Sequence, residues 1–484
     1  MAAPGAPLRE RMTGEDTFWW SLEGPHNPMV MLVLLRFGQR PRRQSLHALF
    51  ASLVASHRRF RQRLVTLDDQ VFWEDVARVP RSRHLLRVRL DAADGPSEDA
   101  QLQALMSRLA GTPLDAQRPL WQLIEVPLAS GAALLVRVHH AIGDGMALLR
   151  LLLELSGRES AARSEAAHAG KDTSKDATQN ATQDPAANPP ETAVALAAHA
   201  TPTPLNELAE RLAAALRPTA PGQSPTAAVA ALLAEAVNLS TIADESPTPL
   251  KGALSGQRRV ACSRALPSAE VRRVARALDC SSHELLMACF SAALAGWLRA
   301  RGLDPARIEW RAQVPVNLRS DADRTELGNG FGLLTLSLPL APMNPAARAW
   351  ELRGRLRELQ RSRRGELTRL LFTAVGLLGE PTRQRAIELL SGKASAVLSC
   401  MPGPPRLRRL CGQTVDELMF WVPQGAGVGI GVSVLSYAEV FRVGVMCDQA
   451  LLPDPDALLG AFTAEWDRLP ALAEAMQALP PSRG

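Results

Sequence analysis

The chain predicts a two-part α/β fold divided by a low-complexity insertion, and three observations carry that expectation. An apolar run, Ala132–Val138, has the length of a buried strand, and an apolar helical pattern, Met146–Leu155, follows it within a few residues. From Gly157 to Pro190 the composition turns to Ala, Ser, Thr, Asp, Lys and Asn with almost no large apolar side chain. Such a segment buries too little surface to offset its ordering entropy and is expected to be a disordered linker. Beyond Pro247 strand and helix patterns resume. At 484 residues the chain exceeds one hydrophobic core. The expected division is therefore 1–156, a linker with connecting helices over 157–246, and 247–484.

Taken in order, Glu15–Phe37 shows a polar aromatic start, a Gly-Pro and Asn-Pro turn cluster and an apolar strand. Gln44–Leu64 is amphipathic and predicts a helix ending among basic residues. Pro113–Trp121 reads as a proline-rich turn leading into a strand, Trp121–Pro127. Thr192–Leu216 and Thr226–Ile242 are alanine-rich helical patterns. Ser268–Leu278 is a short amphipathic helix. Ser281 and Glu284 form the N-cap and N3 pair of a capping box, for a helix running to about Arg301. Val314–Arg319 is a strand edge with a proline, and Gly328–Gly332 a glycine turn. Ala346–Leu378 is helical and arginine-rich, a pattern that usually marks a solvated face; a membrane-facing or phosphate-binding surface is the alternative. Over Gly425–Tyr437, glycine occupies 425, 427, 429 and 431 while apolar residues alternate with it. A strand with one bare face needs either tight packing of another element or an apolar chain lying in the groove. Periodicity leaves both readings open, with Gly427 and Gly429 the candidate binding positions if a groove runs there. The packing alternative predicts general destabilisation on filling Gly429.

His139 and His140 end the Ala132–Val138 strand, and Asp144-Gly145 follows at a strand-to-helix turn, a place where functional groups are often presented. One reading makes Asp144 an N-cap, Gly145 a turn residue and the histidines polar loop residues. A metal site is disfavoured, because adjacent histidines do not easily point at one ion and no HExxH or Cys/His set supplies further ligands. The third reading makes a neutral imidazole a general base toward a hydroxyl or amine.

Composition narrows the classes. Hydrophobic residues make up 46% and charged residues 21%, ordinary for a globular protein. A single tyrosine and few other aromatics argue against stacking platforms for nucleic acid. The net charge of +6 permits attraction to anionic lipid or to a phosphate-bearing group. Six cysteines without a CxxC read as buried, reduced thiols, Cys400 among them as a packing residue, and point to a cytosolic setting. The sequence shows no signal-peptide pattern and no apolar run long enough to cross a bilayer.

The HHxxxDG pattern resembles the signature of the CoA-dependent acyltransferase superfamily. In one order with it stand Asn27-Pro28-Met29, Pro113-Leu114-Asp115 with Arg118-Pro119-Leu120-Trp121, Val314-Pro315-Val316, Gly328-Asn329, Pro402-Gly403-Pro404 and Ser436-Tyr437. Together these resemble the bacterial wax ester synthase/acyl-CoA:diacylglycerol acyltransferase family over roughly 14–155 and 247–465. The resemblance implies a two-domain, chloramphenicol acetyltransferase-like fold. It also implies transfer of a long-chain acyl group from acyl-CoA, a co-substrate and not a cofactor, to diacylglycerol or a fatty alcohol. His140 would be the base and His139 would shape the strand end. Asp144 would hold the loop, with Arg319 a candidate partner. Asn317, Asn329 and His283 are candidate donors to the oxyanion or substrate. The chain departs from the family at His283-Glu284, where Asn-Asp is usual, and at Cys400, where asparagine is usual. A cytoplasmic protein is expected, with attachment to the inner face of the membrane or to a lipid-droplet surface as a further expectation. A non-catalytic lipid-binding protein of the same fold, or a transferase or thioesterase using another acceptor, are the alternatives.

Overall fold

The computed structural model describes residues 7–91, 96–169, 245–319, 327–391, 393–425 and 427–478. Its first layer is a five-stranded sheet in the order Glu417–Trp421, Val30–Phe37, Gly131–His139, Trp121–Leu128 and Leu85–Arg87. The three long strands are rich in Val, Leu, Ile and Ala and largely buried, as strands covered on both faces must be. A second, seven-stranded sheet runs Phe331–Ser337, Arg311–Asn317, Ala396–Pro402, Ile430–Tyr437, Val440–Asp448 and Arg258–Cys262, with Leu266–Pro267 also on Val440–Asp448. Ala396–Pro402 lies parallel to both of its neighbours, and the other pairs are antiparallel. The helix Ser282–Arg299, opened by the Ser281–Glu284 capping box, joins this sheet's core together with Pro345–Arg361 and Pro455–Asp467.

The two halves are stitched together. Glu417–Trp421 comes from late in the chain yet pairs with Val30–Phe37, from Glu417 opposite Arg36 to Trp421 opposite Leu32. Buried Arg258 donates to Gln424 Oε1 at 2.5 Å and to Asn27 Oδ1. The opening helix Gly14–Ser21 crosses Arg364–Gly376 so closely that a Cβ on Gly14 would lie 2.5 Å from the Thr373 carbonyl oxygen. Only glycine permits that approach.

Local periodicity and the structure part company in several places. The amphipathic stretch from Gln44 does not stay helical: Arg43–Ser56 is the helix, and Gln62–Leu67 is a strand in a small sheet with Gln70–Asp75 and Arg9–Arg11. The helix that opens at Gly145 continues to Ala169, past the Gly157 at which composition starts the linker. The rest of the expected linker, and the patterns Thr192–Leu216 and Thr226–Ile242, lie outside the described residues. The arginine-rich stretch forms two helices, Pro345–Arg361 and Arg364–Gly376. Several of its guanidinium groups are tied into the fold: Arg348 to the Pro339 and Ala341 carbonyls, Arg353 to Asp279, Arg369 to buried Glu15. Among the described residues no helix is long and apolar enough to cross a membrane.

The glycine run also departs from expectation. The strand begins at Ile430, so only Gly431 of the four glycines lies within it, and Gly427 sits in a turn at φ +76°. A Cβ on Gly429 would run into Leu451, and one on Gly431 would lie 2.7 Å from the Val422 carbonyl oxygen and 2.5 Å from Gln424 Nε2. The space beside the backbone is therefore filled by neighbouring chain at Gly429 and Gly431, which leaves no groove at those two positions. Gly431→Ala is expected to cost roughly 1–3 kcal/mol, the usual penalty of overpacking against fixed backbone. A thermal melt reads this directly; an unchanged midpoint would restore the groove.

Candidate functional site

The histidine strand ends against its neighbours' backbones. The His139 N–H donates to the Leu120 carbonyl at 3.0 Å, so the proline-rich segment ahead of Trp121 fixes where the strand stops. The His140 N–H donates to the Met29 carbonyl at 2.8 Å. A short 3-10 turn, His140–Ile142, follows, and then the helix from Gly145.

With the strand ending at His139 and the turn beginning at His140, the two rings go to different places. His139 is fully buried, and its Nδ1 accepts from the Ala141 N–H at 3.0 Å. That leaves Nε2 to carry the proton, and Nε2 lies 3.0 Å from Glu23 Oε2. The same carboxylate oxygen accepts from the Met29 N–H at 2.6 Å. With both nitrogens engaged, His139 braces the turn.

His140 instead lines a cavity of about 410 Å³ between the two halves. Its ring stacks on Trp19, with centroids 4.5 Å apart and planes 21° from parallel, and lies near Phe331. Among the described residues Nδ1, which is buried, has no partner in hydrogen-bonding geometry. Burial lowers the imidazole from its ordinary 6.5 to about 4, against the opposing pull of the Asp144 charge. The ring is therefore neutral at physiological pH.

Asp144 borders the same cavity, but its carboxylate is spent on clamping two loops. Its Oδ1 accepts from the Ala147 N–H at 3.0 Å, the N-cap bond of the Gly145 helix. Oδ2 accepts from the Gly330 N–H at 3.1 Å. Arg319 meets both oxygens, at 2.9 and 2.8 Å, and also donates to the Gly328 carbonyl. The Asp144 N–H itself donates to the Gly328 carbonyl at 3.2 Å. Gly143 passes so near that a Cβ there would lie 3.1 Å from the Gly328 nitrogen.

The remaining sequence candidates separate. Asn317 lines the cavity at the end of its strand. Asn329 is not on the wall: its buried amide donates to Asp16 Oδ1 at 2.9 Å and to the His140 carbonyl at 3.0 Å, so it acts on the histidine's backbone. His283 lies elsewhere, edge-on to Phe441 of the second core, and is not brought to His140. Gly427 and Gly429 are also off the cavity wall, although Gly425 is on it. Cys400 lines the cavity, with its thiol pushed up to about 12 by burial, which suits a packing residue and not a nucleophile. The wall is mostly apolar. Gln313, four residues before Asn317 on the same strand, its cross-strand partner Thr335 and Lys393 give it a polar region away from Asn317. Among the described residues no group of three His, Cys, Asp or Glu side chains could hold a metal ion. Sequence reasoning missed Glu23, Asp16 and Trp19, all in or beside the polar aromatic opening; the one available signal was the concentration of charge and indole there.

Two expectations follow. Asp144→Asn removes one charge of a nearly inaccessible ion pair, with side chains only 5% and 8% exposed, and should cost about 3 kcal/mol or more. Stability and activity should fall together; a normal melting temperature with no turnover would instead give the carboxylate a direct chemical role. The second concerns pH. Between about 6.5 and about 4 the unfolded chain binds a proton at His140 that the folded chain refuses, so this group's contribution to stability decreases as pH falls through that window. Melting temperatures of wild type and His140→Gln, followed from pH 7 to pH 4, should therefore move in favour of the glutamine variant; a constant difference would refute it.

With this geometry in view, relatives are informative. The family model described as "Wax ester synthase/diacylglycerol acyltransferase catalytic domain" matches residues 12–285, and "WS/DGAT C-terminal domain" matches 327–469. A protein of Mycobacterium tuberculosis, named as a probable diacylglycerol O-acyltransferase, is 26% identical over 412 residues, 83% of this chain and 82% of its own length. Among solved structures, the wax ester synthase/diacylglycerol acyltransferase from Marinobacter aquaeolei superposes at a TM-score of 0.62 and 17% identity, covering 96% of this chain and 100% of that one. The first condensation domain of the calcium-dependent antibiotic synthetase superposes at 0.59 and 17% identity, covering 97% of each. These structural likenesses establish a shared two-domain α/β fold, and the family match over more than half of the sequence establishes that the chain belongs to the wax ester synthase/diacylglycerol acyltransferase family of enzymes.

Proposed function

We propose that this protein moves a long-chain acyl group from acyl-CoA to a hydroxyl acceptor, diacylglycerol or a fatty alcohol, with His140 as the general base and no covalent intermediate. The observation that carries the reading is a neutral imidazole facing a large, mostly apolar cavity, held through its backbone by a clamped loop. Family membership supports the same chemistry.

With Nδ1 buried, Nε2 is the nitrogen available to the cavity. It takes the acceptor's hydroxyl proton as the oxygen attacks the thioester carbonyl, forming a tetrahedral adduct. Collapse breaks the carbon–sulfur bond, and the proton on Nε2 passes to the departing CoA thiolate. The apolar wall keeps water from competing as the acceptor and strengthens each polar contact within. Of the three candidate donors, Asn317 and not Asn329 or His283 is on the cavity wall, which supports it as the donor to a developing oxyanion. A water-soluble donor and a lipid acceptor would suit attachment at a lipid surface.

The test is CoA-thiol release from palmitoyl-CoA, with and without hexadecanol or diacylglycerol. Acceptor-dependent release is expected. Release without acceptor would indicate a thioesterase, and none with any acceptor would favour a lipid-binding protein. His140→Ala should lower the acceptor-dependent rate roughly 10²–10⁴-fold, the usual contribution of a general base, with the fold intact by circular dichroism. Activity equal to wild type would refute the mechanism.

A further inference from the structure

A cavity of about 240 Å³ opens between Arg81–His84 and the proline-rich segment that leads into Trp121–Leu128. It shares no wall residue with the cavity of His140. His84, on its wall, is buried. The Nδ1 of His84 lies 2.8 Å from the Trp121 carbonyl oxygen, which can only accept, so Nδ1 carries the proton and Nε2 presents a lone pair. Nε2 is buried and has no partner among the described residues. Burial above all, and the charge of Arg118, hold the imidazole below its ordinary range, against the pull of the Trp121 carbonyl and of Asp115. The ring is therefore a neutral acceptor near pH 7. A buried acceptor without a donor costs free energy until one reaches it.

Cations surround this acceptor. Arg83 is exposed on the same wall, and its guanidinium has no partner among the described residues. Arg118, also on the wall and 36% exposed, meets Asp115 Oδ2 through Nε at 3.0 Å. The other oxygen of Asp115 accepts from the Gln117 N–H at 3.0 Å, so both oxygens of that carboxylate are engaged. Gln122 is fixed from both sides: Nε2 donates to the Arg83 carbonyl at 3.3 Å, and Oε1 accepts from buried Arg137 at 2.6 Å. The segment that carries His84, residues 76–90, holds five exposed arginines and no acidic residue, and of these Arg87 is spent on Glu125. A surface of that sign gathers anions.

We propose that this cavity binds a phosphate monoester or inorganic phosphate, with Arg83 and Arg118 on its charged oxygens and its P–O–H donating to His84 Nε2. A bare acceptor set among guanidinium groups selects an anion that still owns a proton. Carboxylates, sulfate and phosphodiesters have none to give near neutral pH, whereas a phosphate monoester, with a second pKa of about 6, does. Guanidinium groups also match the spacing of phosphate oxygens. The ligand is held without reaction. Its seat adjoins the end of the histidine strand, since the Trp121 carbonyl holds His84 and the neighbouring Leu120 carbonyl accepts from the His139 N–H. The site stands whatever transfer His140 performs, because none of its residues lines that cavity.

Calorimetric titration of the full chain at a pH of about 6, where a monoester is roughly half protonated, compares methyl phosphate with dimethyl phosphate and inorganic phosphate with sulfate. The monoester and phosphate should bind roughly tenfold or more tightly than the diester and sulfate, the share of one hydrogen bond to a charged group. Arg83→Gln, at an exposed side chain, should weaken methyl phosphate by a similar factor. In protein carrying ¹⁵N-histidine, the His84 Nε2 resonance should move with phosphate and stay in place with sulfate, a readout that needs no change at a buried residue. No binding of methyl phosphate, equal binding of sulfate and phosphate, an unaltered affinity in Arg83→Gln, or an unmoved His84 resonance would each overturn the proposal. Further arms assign the source of the phosphate. Phosphatidylcholine vesicles containing phosphatidic acid, preferred over those containing phosphatidylglycerol in wild type and not in Arg83→Gln, would make it a lipid headgroup. Weaker binding of CoA on removal of its 3′-phosphate, in wild type and not in Arg83→Gln, would make it that phosphate. Methyl phosphate bound with neither preference would make it a free phosphate compound.

Discussion

The ion pair between Asp144 and Arg319 is the constraint on which the site depends. Two charges removed from water are stable only if their remaining hydrogen-bonding capacity is met. Here it is met by the backbone of the segments that must be held: Ala147 at the start of a helix, Gly330 and Gly328 in the facing loop. The pair spans the two halves, because Asp144 follows the first sheet's central strand and Arg319 follows a strand of the second. Its geometry therefore sets the width of the cleft in which His140 stands. Asn329, between Gly328 and Gly330 in that loop, reaches the His140 carbonyl, so the clamp and the histidine are coupled through one turn of backbone.

An aromatic wall completes the environment. Trp19 covers one face of the His140 ring, and Phe331 and Phe372 pack against Trp19. These side chains come from the opening helix, a strand of the second sheet and the helix Arg364–Gly376. Their burial removes water from the imidazole, which is why the charged form is disfavoured in spite of a nearby carboxylate. The Gly14 crossing matters for the same reason, since it lets the two helices approach closely enough for Phe18 and Phe372 to stack at 4.4 Å.

Features governed by local chemistry are legible in the sequence. The strand-to-helix turn at His139–Gly145, the capping box at Ser281 and the capping role of Asp144 all rest on a few adjacent residues and known backbone needs. What the sequence hides is decided by distant pairing. Nothing within Glu417–Trp421 says that it belongs to the first sheet, and nothing near Glu23 says that it will hold His139. The glycine run misleads for a related reason. Period-two glycine reports that space beside the backbone is taken or open, but which of the two depends on Leu451 and Val422, which only the folded chain brings alongside. His283 occupies a family position without its family neighbours, and in the fold it meets Phe441 instead of the cavity.

The adjacent histidines show why the turn carries two of them. A neutral imidazole that faces a cavity is poorly held by its own ring when its buried Nδ1 has no partner among the described residues. Its position has to be imposed through the backbone. His140 is placed in that way, by bonds between its main chain and Met29 and Asn329 and by stacking on Trp19. His139 supplies the rigidity instead: one nitrogen receives the Ala141 N–H and the other faces Glu23, which in turn holds Met29. The loop is thus fixed through a residue that is not on the cavity wall, and the His140 ring is left to face the cavity. Two neighbouring imidazoles with different surroundings are accommodated because the strand ends at His139 and the 3-10 turn begins at His140.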